Sequence, residues 1–282
     1  MKKVARIADS LSWKSIIVYG GLLIWLVASA FPFLWTVLTS IKPLKAVFTM
    51  PPQWIFQPTL EAYHQLWFAG GEFPRYLLNT IIVVGSSVVI SLAVGLPAGY
   101  ALSRYSKKIG FVLLFLAFIF RAFPRILFVI PFYQMSRIIG LYDTKILLIL
   151  VFVAVNQPFT IWMLRSFFMN IPESLEESAM IDGCSRFGAF VRVIIPLMGP
   201  AIITSGIFTF LLAYNNYLIP VSLSADRAVT MTVAIAQFGV SSVQGWTQAA
   251  AGGASIALPI VALILFFQKY IVKGLAAGAV KE

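Results

Sequence analysis

Charged residues are scarce in this chain of 282 residues. Only 11% of the residues are charged and 60% are hydrophobic, whereas a water-soluble domain of this length has about 25% charged residues. The shortage indicates a protein that crosses a membrane several times, and it excludes one large water-soluble core. The formal net charge of +11 does not indicate a nucleic-acid partner. The basic residues flank apolar runs, as they do where Lys and Arg set orientation in a membrane.

Cysteine and histidine each occur once, as Cys184 and His64. No intrachain disulfide can therefore form, and a tetrahedral zinc site would need several carboxylates in addition. We expect no metal site and no catalytic residues in this chain. The sequence also lacks the Gly-four-residues-Gly-Lys-Ser/Thr pattern that cradles nucleotide phosphates. Any ATP that drives the protein would have to bind another subunit.

Apolar runs of the length that crosses a bilayer, about 20 residues, recur along the whole chain. We predict an all-α, polytopic membrane protein with a single transmembrane domain over 1–282. The basic segment 1–14 is predicted to be a cytoplasmic tail followed by a retained first span, and not a cleaved signal peptide. Six spans without Asp or Glu are predicted: 15–40, 77–103, 109–135, 144–164, 194–218 and 250–272.

The third span is unusual because Arg121, Pro124 and Arg125 lie in its middle. It is either one kinked span or a re-entrant hairpin. With six spans and a cytoplasmic N-terminus, thirteen Lys and Arg residues lie inside and six lie outside. If the third segment does not cross, the division becomes ten to nine. The excess of basic residues on the cytoplasmic side favours six spans with both termini inside, so the loop 165–193 faces the cytoplasm.

That loop contains the acidic sequence NIPESLEESAMIDGCSRFGAFVRVII, residues 170–195. Pro172 suits the first turn of a helix, and Glu173 and Glu176 suit its positive end. Gly183 favours the left-handed backbone that ends a helix, and Ser185 can cap a second helix. We predict a short helix, a glycine turn and a second helix that runs into the membrane. Such an elbow either transmits motion from a soluble partner or only covers the helix ends.

Two apolar faces are predicted for the elbow. The first helix is expected to have a narrow apolar stripe of Ile171, Leu175 and Ala179. The apolar face of the second helix is expected to contain Phe187, Phe190, Val191, Ile194 and Ile195.

The same loop resembles the cytoplasmic loop of permease subunits of bacterial ABC importers. That loop has Glu-Ala-Ala, three residues, Gly, and later Pro-Leu; here it reads Glu177–Ser178–Ala179, then Gly183, then Pro196–Leu197. Ser178 stands where Ala is usual. The stretches LRSFFMNIPESLEE, GLYDT and FQKYIVKGLAAGAVK resemble the carbohydrate-importing branch, and in particular the maltose-type second permease subunit. The resemblance covers roughly 77–282.

The resemblance implies the type I permease fold of ABC importers and a subunit that imports a sugar or sugar-like solute across the bacterial inner membrane. It implies a second homologous permease, two ATPase subunits that bind ATP and Mg, and an outer solute-binding protein as partners. The loop 172–188 would couple the permease to the ATPase. The residues expected in this coupling loop are Glu176, Glu177, Ser178, Ala179, Asp182 and Gly183.

Polar residues in the spans are candidates for the substrate pathway. Arg121, with Arg125, either lines that pathway or packs on backbone carbonyls freed at Pro124 or on the partner permease. Tyr214, Asn215 and Asn216, which end the fifth span, either contact substrate or hydrogen-bond between helices.

The alternative function is a gradient-driven secondary transporter for a small polar solute. Proton-coupled carriers use carboxylates inside the membrane, and the predicted spans have none.

Overall fold

The computed structural model describes residues 13–69, 71–105, 107–241 and 245–279. These residues form helices joined by turns, and no strand occurs among them. The prediction of an all-α chain is confirmed. The predicted tail 1–14 lies outside the described residues except for its last two positions, which begin the first helix.

We number the longer helices in chain order. They are α1 Trp13–Ser40, α2 Glu61–Trp67, α3 Phe73–Arg104, α4 Lys107–Ala122, α5 Ile126–Ile138, α6 Lys145–Phe168, α7 Ser174–Ile181, α8 Arg186–Leu197, α9 Gly199–Tyr214, α10 Leu218–Leu223, α11 Met231–Ser241 and α12 Gly245–Ala279. A single helical turn, Leu44–Val47, precedes α2.

Four helices are long and apolar enough to cross a bilayer on their own. They contain the segments Ser15–Ser40, Phe73–Arg104, Lys145–Phe168 and Gly245–Lys269, which coincide with the predicted first, second, fourth and sixth spans. The chain is therefore a multi-pass membrane protein. The count of six crossings and the cytoplasmic position of both termini stay predictions.

The third predicted span is two helices and not one. α4 ends at Ala122 and α5 begins at Ile126, so the break falls at Pro124, where the sequence predicted a kink or a hairpin. Proline has no N–H for the helical ladder, and its ring clashes with the preceding turn. The chain restarts with hydrogen bonds from the Leu127 N–H to the Pro124 carbonyl, 3.0 Å, and from the Phe128 N–H to the Arg125 carbonyl, 3.1 Å.

The fifth predicted span, 194–218, is bent and not one continuous helix. α8 ends at Leu197, and α9 begins at Gly199 with its axis turned by 74°. The second helix of the elbow and α9 therefore form a bent pair and not one straight helix. Pro200, in the first turn of α9, offers no N–H to the carbonyls of α8, which favours a bend at this point.

The chain forms two compact units, and the first comprises residues up to Gly71 with Gln237–Ser255. Hydrogen bonds between side chains connect its segments. The Ser40 and Tyr63 hydroxyls lie 2.9 Å apart, and the Trp67 indole N–H donates to the Ser255 hydroxyl at 3.3 Å.

The second unit, Glu72–Ala236 and the chain from Ile256 onwards, is built on the contact of α3 with α6. Two glycines of α3 permit this contact. A Cβ on Gly99 would lie 3.1 Å from the Arg165 backbone nitrogen and 3.2 Å from the Leu164 Cβ. A Cβ on Gly95 would lie 3.1 Å from the Leu164 Cδ1. This Gly-xxx-Gly pair therefore permits close packing of the two helices.

Candidate functional site: the cytoplasmic elbow

The glycine turn of the elbow forms as predicted. Gly183 has φ +90°, a backbone conformation that costs glycine little and other residues more. Behind it, the Gly183 N–H donates to the Met180 carbonyl at 3.1 Å, and the Cys184 N–H donates to the Ala179 carbonyl at 3.0 Å. These bonds satisfy the carbonyls that the end of α7 would otherwise leave unpaired. The sequence thus ends the first helix of the elbow at a defined point.

Ser185 caps the second helix, as predicted. Its hydroxyl accepts a hydrogen bond from the Gly188 N–H at 3.1 Å, and its backbone is extended. Beyond the cap, residues Phe190–Ile194 form a π-helical turn, which has one extra residue per hydrogen-bonded turn and therefore shifts the register of the side chains. The buried side chains after this shift are Phe190 and Ile194.

The predicted apolar faces are partly wrong. Phe187 is 75% exposed and Val191 is also exposed, whereas Phe190 and Ile194 are buried in the core formed with Leu164 and Phe168, and Ile195 packs against that core, partly buried. On α7, Leu175 is exposed, whereas Ala179 is buried. The residue that shares the inward face with Ala179 is a glutamate.

Glu176 is buried and forms an ion pair with Arg104, the last residue of α3. Its Oε1 accepts from the Arg104 Nε–H at 2.7 Å, and its Oε2 accepts from the Tyr100 hydroxyl at 2.7 Å. The two charged side chains are only 7% and 11% exposed. Both carboxylate oxygens are therefore occupied inside the subunit, and the pair is shielded from solvent.

Arg104 also binds the end of α6. Its Nη1 donates to the Phe168 carbonyl and its Nη2 donates to the Ile171 carbonyl, each at 3.0 Å. The last carbonyls of a helix lack intrahelical partners and carry partial negative charge. One guanidinium therefore joins α3, the end of α6 and α7. Sequence analysis missed this residue, although an arginine that ends an apolar span was a visible signal.

The predicted coupling residues divide into two faces. Glu176 and Ala179 are buried against the rest of the subunit, whereas Glu177, Ser178, Asp182 and Gly183 are exposed. The Glu176 carboxylate is engaged inside the subunit by Arg104 and Tyr100, so the exposed members of the predicted coupling loop are the ones available to an outside partner. The exposed face contains an apolar residue that the sequence did not single out, since Ile181 is 84% exposed.

Two of the three polar residues at the end of α9 are engaged within the subunit. The Tyr214 hydroxyl donates to the Ile256 carbonyl at 2.9 Å. The Asn216 Oδ1 accepts from the Ile219 N–H at 3.1 Å, and its carbonyl accepts from the Thr232 hydroxyl at 3.2 Å. Both side chains are buried, as hydrogen bonding between helices would require. Only Asn215 is exposed.

Arg121 and Arg125 line one cavity, of about 160 Å³, at the break between α4 and α5. The Arg121 guanidinium lies over the Phe159 ring at 5.2 Å from its centroid. Among the described residues, its buried Nη1 has no hydrogen-bond partner. Within the described part of the chain, this nitrogen therefore makes none of the expected alternative bonds to backbone carbonyls freed at Pro124.

Asp143, in the GLYDT sequence before α6, is a second residue whose importance only the structure shows. Its carboxylate accepts hydrogen bonds from four consecutive backbone N–H groups, Ala225 to Ala228, at 2.9–3.2 Å. Partial burial would raise the pKa of this carboxyl, but the four N–H donors together outweigh burial and lower it. Asp143 itself has φ 58°, a conformation that aspartate tolerates better than most residues.

Several bilayer-length apolar helices, with a capped acidic elbow in the connection after α6, define a multi-pass membrane protein. No group of three or more His, Cys, Asp or Glu side chains that could hold a metal ion occurs among the described residues. Residues 91–277 match the family described as "binding-protein-dependent transport system inner membrane component". The chain belongs to this family and is a permease subunit of an ABC transporter.

Known proteins of this kind are similar along nearly the whole chain. The trehalose transport system permease protein of Mycobacterium tuberculosis is 37% identical over 89% of this chain and 92% of that protein. The sulfoquinovosyl glycerol transport system permease protein of Agrobacterium fabrum is 32% identical over 92% and 91%. A chain of the bacterial ABC transporter that imports the acidic polysaccharide alginate has the same fold, with a TM-score of 0.76 and 22% identity, over 92% of this chain and 99% of that one.

Family membership decides between the two functions that the sequence left open. The alternative of a gradient-driven secondary transporter is wrong, because the chain is a permease of the ATP-driven class. The chain is not an enzyme, and ATP hydrolysis lies in a separate subunit.

Proposed function

We propose that the chain imports a sugar or sugar-like solute and forms half of the translocation path. Relatives named for trehalose and for sulfoquinovosyl glycerol support a carbohydrate or carbohydrate derivative as the solute. The other half of the path is a second, homologous permease. Two ATPase subunits bind ATP and Mg, and an extracytoplasmic binding protein delivers the solute. The assembly lies in the bacterial inner membrane, with six crossings, both termini in the cytoplasm and residues 1–282 as one permease domain.

The exposed face of α7 is the surface that docks on the ATPase. It presents an apolar side chain, Ile181, between the carboxylates of Glu177 and Asp182, and Phe187 is exposed on the following helix. An isolated apolar side chain with a charged rim is a common centre for a protein–protein contact. Through this contact, movement of the ATPase is transmitted to α7 of the permease.

The buried Glu176–Arg104 pair is the observation that carries the coupling function. It fixes the inward face of α7 to α3, while Arg104 also binds the Phe168 carbonyl at the end of α6 and the Ile171 carbonyl just beyond it. A displacement of the docked helix is therefore passed to two spans at once and not absorbed by the loop. Closure of the ATPase dimer on ATP would then favour one of two arrangements of the spans, which is alternating access driven by the difference in affinity of the two conformations.

Substitution of Ile181 tests the docking surface. We expect Ile181→Ser to weaken the contact with the ATPase, because loss of a buried isoleucine side chain costs roughly 1.5–3 kcal/mol, or about 10- to 100-fold in affinity. The measurement is the amount of ATPase that copurifies with the tagged permease from its native membrane in mild detergent, across a dilution series.

Ile138→Ser is the matched control. Ile138 and Ile181 are both 84% exposed, but Ile138 ends α5, on the predicted outer side. The control is expected to retain the ATPase at wild-type levels. Equal retention of the ATPase by both variants would refute α7 as the docking surface, and absence of any ATPase with the native chain would refute the coupling proposal itself.

A further inference from the structure

The cavity at the break between α4 and α5 combines two positive charges with an apolar, aromatic wall. Arg121 and Arg125 are its charged lining residues, and no acidic side chain is found among the described residues that line it. Phe123, Phe128 and Phe132 supply the aromatic part of the wall. A site of this kind, mostly apolar with a few converging polar groups, is typical of small-molecule binding in proteins.

Arg121 has hydrogen-bonding capacity that the subunit does not use. The guanidinium carbon lies over the Phe159 ring, 5.2 Å from its centroid, and this ring offers the N–H groups no oxygen acceptor. Nη1 is buried without such an acceptor among the described residues. A buried donor without a partner costs about 1–3 kcal/mol, and more when it is charged. The side chain is thus poised for an acceptor from outside the subunit.

The position of the cavity along α6 indicates whether that acceptor belongs to a lipid headgroup or to a transported solute. α6 has 24 residues, about 36 Å at 1.5 Å per residue, and its lining residues Val155 and Pro158 lie near the middle of the helix. Lipid headgroups lie at the ends of a spanning helix. Charged residues near mid-membrane usually face a cavity or a transport pathway.

We propose that this cavity binds the anionic group, a carboxylate or a sulfonate, of the carbohydrate that the transporter carries. The guanidinium of Arg121, with that of Arg125 beside it, offers the planar donors that match such oxyanions. The phenylalanine rings present apolar faces against which the C–H faces of a sugar ring can pack. This inference rests on the proposed function and names the substrate class for the same path.

The test compares sugars that differ only in the anionic group. The complete complex, purified in detergent with its partner permease and ATPases, is heated with 10 mM galacturonate or galactose, and with 10 mM sulfoquinovose or quinovose. For a dissociation constant of about 1 mM, we expect an acidic sugar to raise the apparent unfolding temperature by roughly 2–4 °C. The neutral sugars are expected to raise it less. Arg121→Gln is expected to abolish the difference between acidic and neutral sugars.

Arg137→Gln is the matched control variant, because Arg137 is an exposed arginine of α5 that does not line the cavity. In this variant, acidic sugars should still raise the unfolding temperature more than neutral sugars do. A second arm replaces the sugars with phosphatidylglycerol or phosphatidylcholine vesicles. In one outcome, phosphatidylglycerol raises the unfolding temperature only when Arg121 is present, while acidic sugars raise it no more than neutral sugars. That result would assign the site to a lipid headgroup and overturn the proposal.

The remaining outcomes are also decisive. Absence of an acid-selective shift in the wild-type complex overturns the inference. If Arg121→Gln then lowers the unfolding temperature without ligand, a carboxylate of the partner permease fills the cavity instead. The proposed function survives these results as long as the ATPase copurifies with the permease, so the two failures are distinguishable.

Discussion

Neutralising Glu176 tests whether the inward face of α7 is fixed by its ion pair with Arg104. Removing one partner of a buried ion pair costs about 3–5 kcal/mol, because the other charge is left without compensation. Glutamine keeps the shape of the side chain, and Arg104 retains its two carbonyl acceptors, Phe168 and Ile171. We therefore expect Glu176→Gln to lower the free energy of opening of α7 by about 3 kcal/mol, the lower end of that range.

Hydrogen–deuterium exchange of the α7 amides in the detergent-solubilised complex measures this free energy. Local opening determines exchange in the native state, and each 1.4 kcal/mol corresponds to about a tenfold change in the equilibrium constant. The expected decrease in protection is therefore roughly 100-fold. Transport per ATP hydrolysed should fall in the same variant, since a loosened helix transmits less of the movement of the ATPase.

The neighbouring glutamate provides the control. Glu177 is exposed, and loss of an exposed charge changes stability by at most about 0.5 kcal/mol, or roughly twofold in exchange. Equal protection of α7 in Glu176→Gln and Glu177→Gln would refute the argument that the buried pair holds the helix. Arg104→Lys should behave like Glu176→Gln, because the lysine ammonium cannot reach the three acceptors in the fixed geometry of a guanidinium.

Three further predictions concern the backbone and the outer loop. Gly99→Leu should destabilise the protein by about 1–3 kcal/mol through overpacking between α3 and α6, measured as the denaturation midpoint, whereas Gly85→Leu on the same helix should be nearly neutral because a Cβ there meets no atom within 4 Å. Gly183→Ala should cost about 1 kcal/mol from its positive φ and reduce copurification of the ATPase, whereas Gly140→Ala, with φ +71°, should lose similar stability and keep the ATPase. The lowered pKa of Asp143 means that its contribution to stability is complete above its unfolded pKa of about 3.9 and is lost as the pH falls through the lower folded value. The protection factors of the amides of 225–228, which are corrected for the intrinsic exchange rate at each pH, should therefore decrease in acid. Asp143→Asn should lower these protection factors at neutral pH and remove their acid dependence.

Hydrophobic patterning determined the membrane class, the helical fold and four of the spans, because a helix that crosses lipid must satisfy its backbone internally and be apolar over its whole length. Local chemistry also determined the elbow: Gly183 ends α7 and Ser185 caps α8, since both effects depend on neighbouring backbone groups within a few residues. The break at Pro124 belongs to the same category. In each case the cause and its effect lie close together in the sequence.

Tertiary structure decided which side of each helix faces inward and which charges meet. Glu176 and Arg104 are separated by 72 residues, yet their side chains lie 2.7 Å apart, and no periodicity within either segment encodes that contact. The π-helical turn at Phe190–Ile194 interrupts the regular 3.6-residue period, so that period did not predict which side chains of α8 are buried. Asp143 binds a loop 82 residues further along the chain. Such partners are selected by packing over the whole fold, because a buried charge is stable only where the surrounding elements supply its hydrogen bonds.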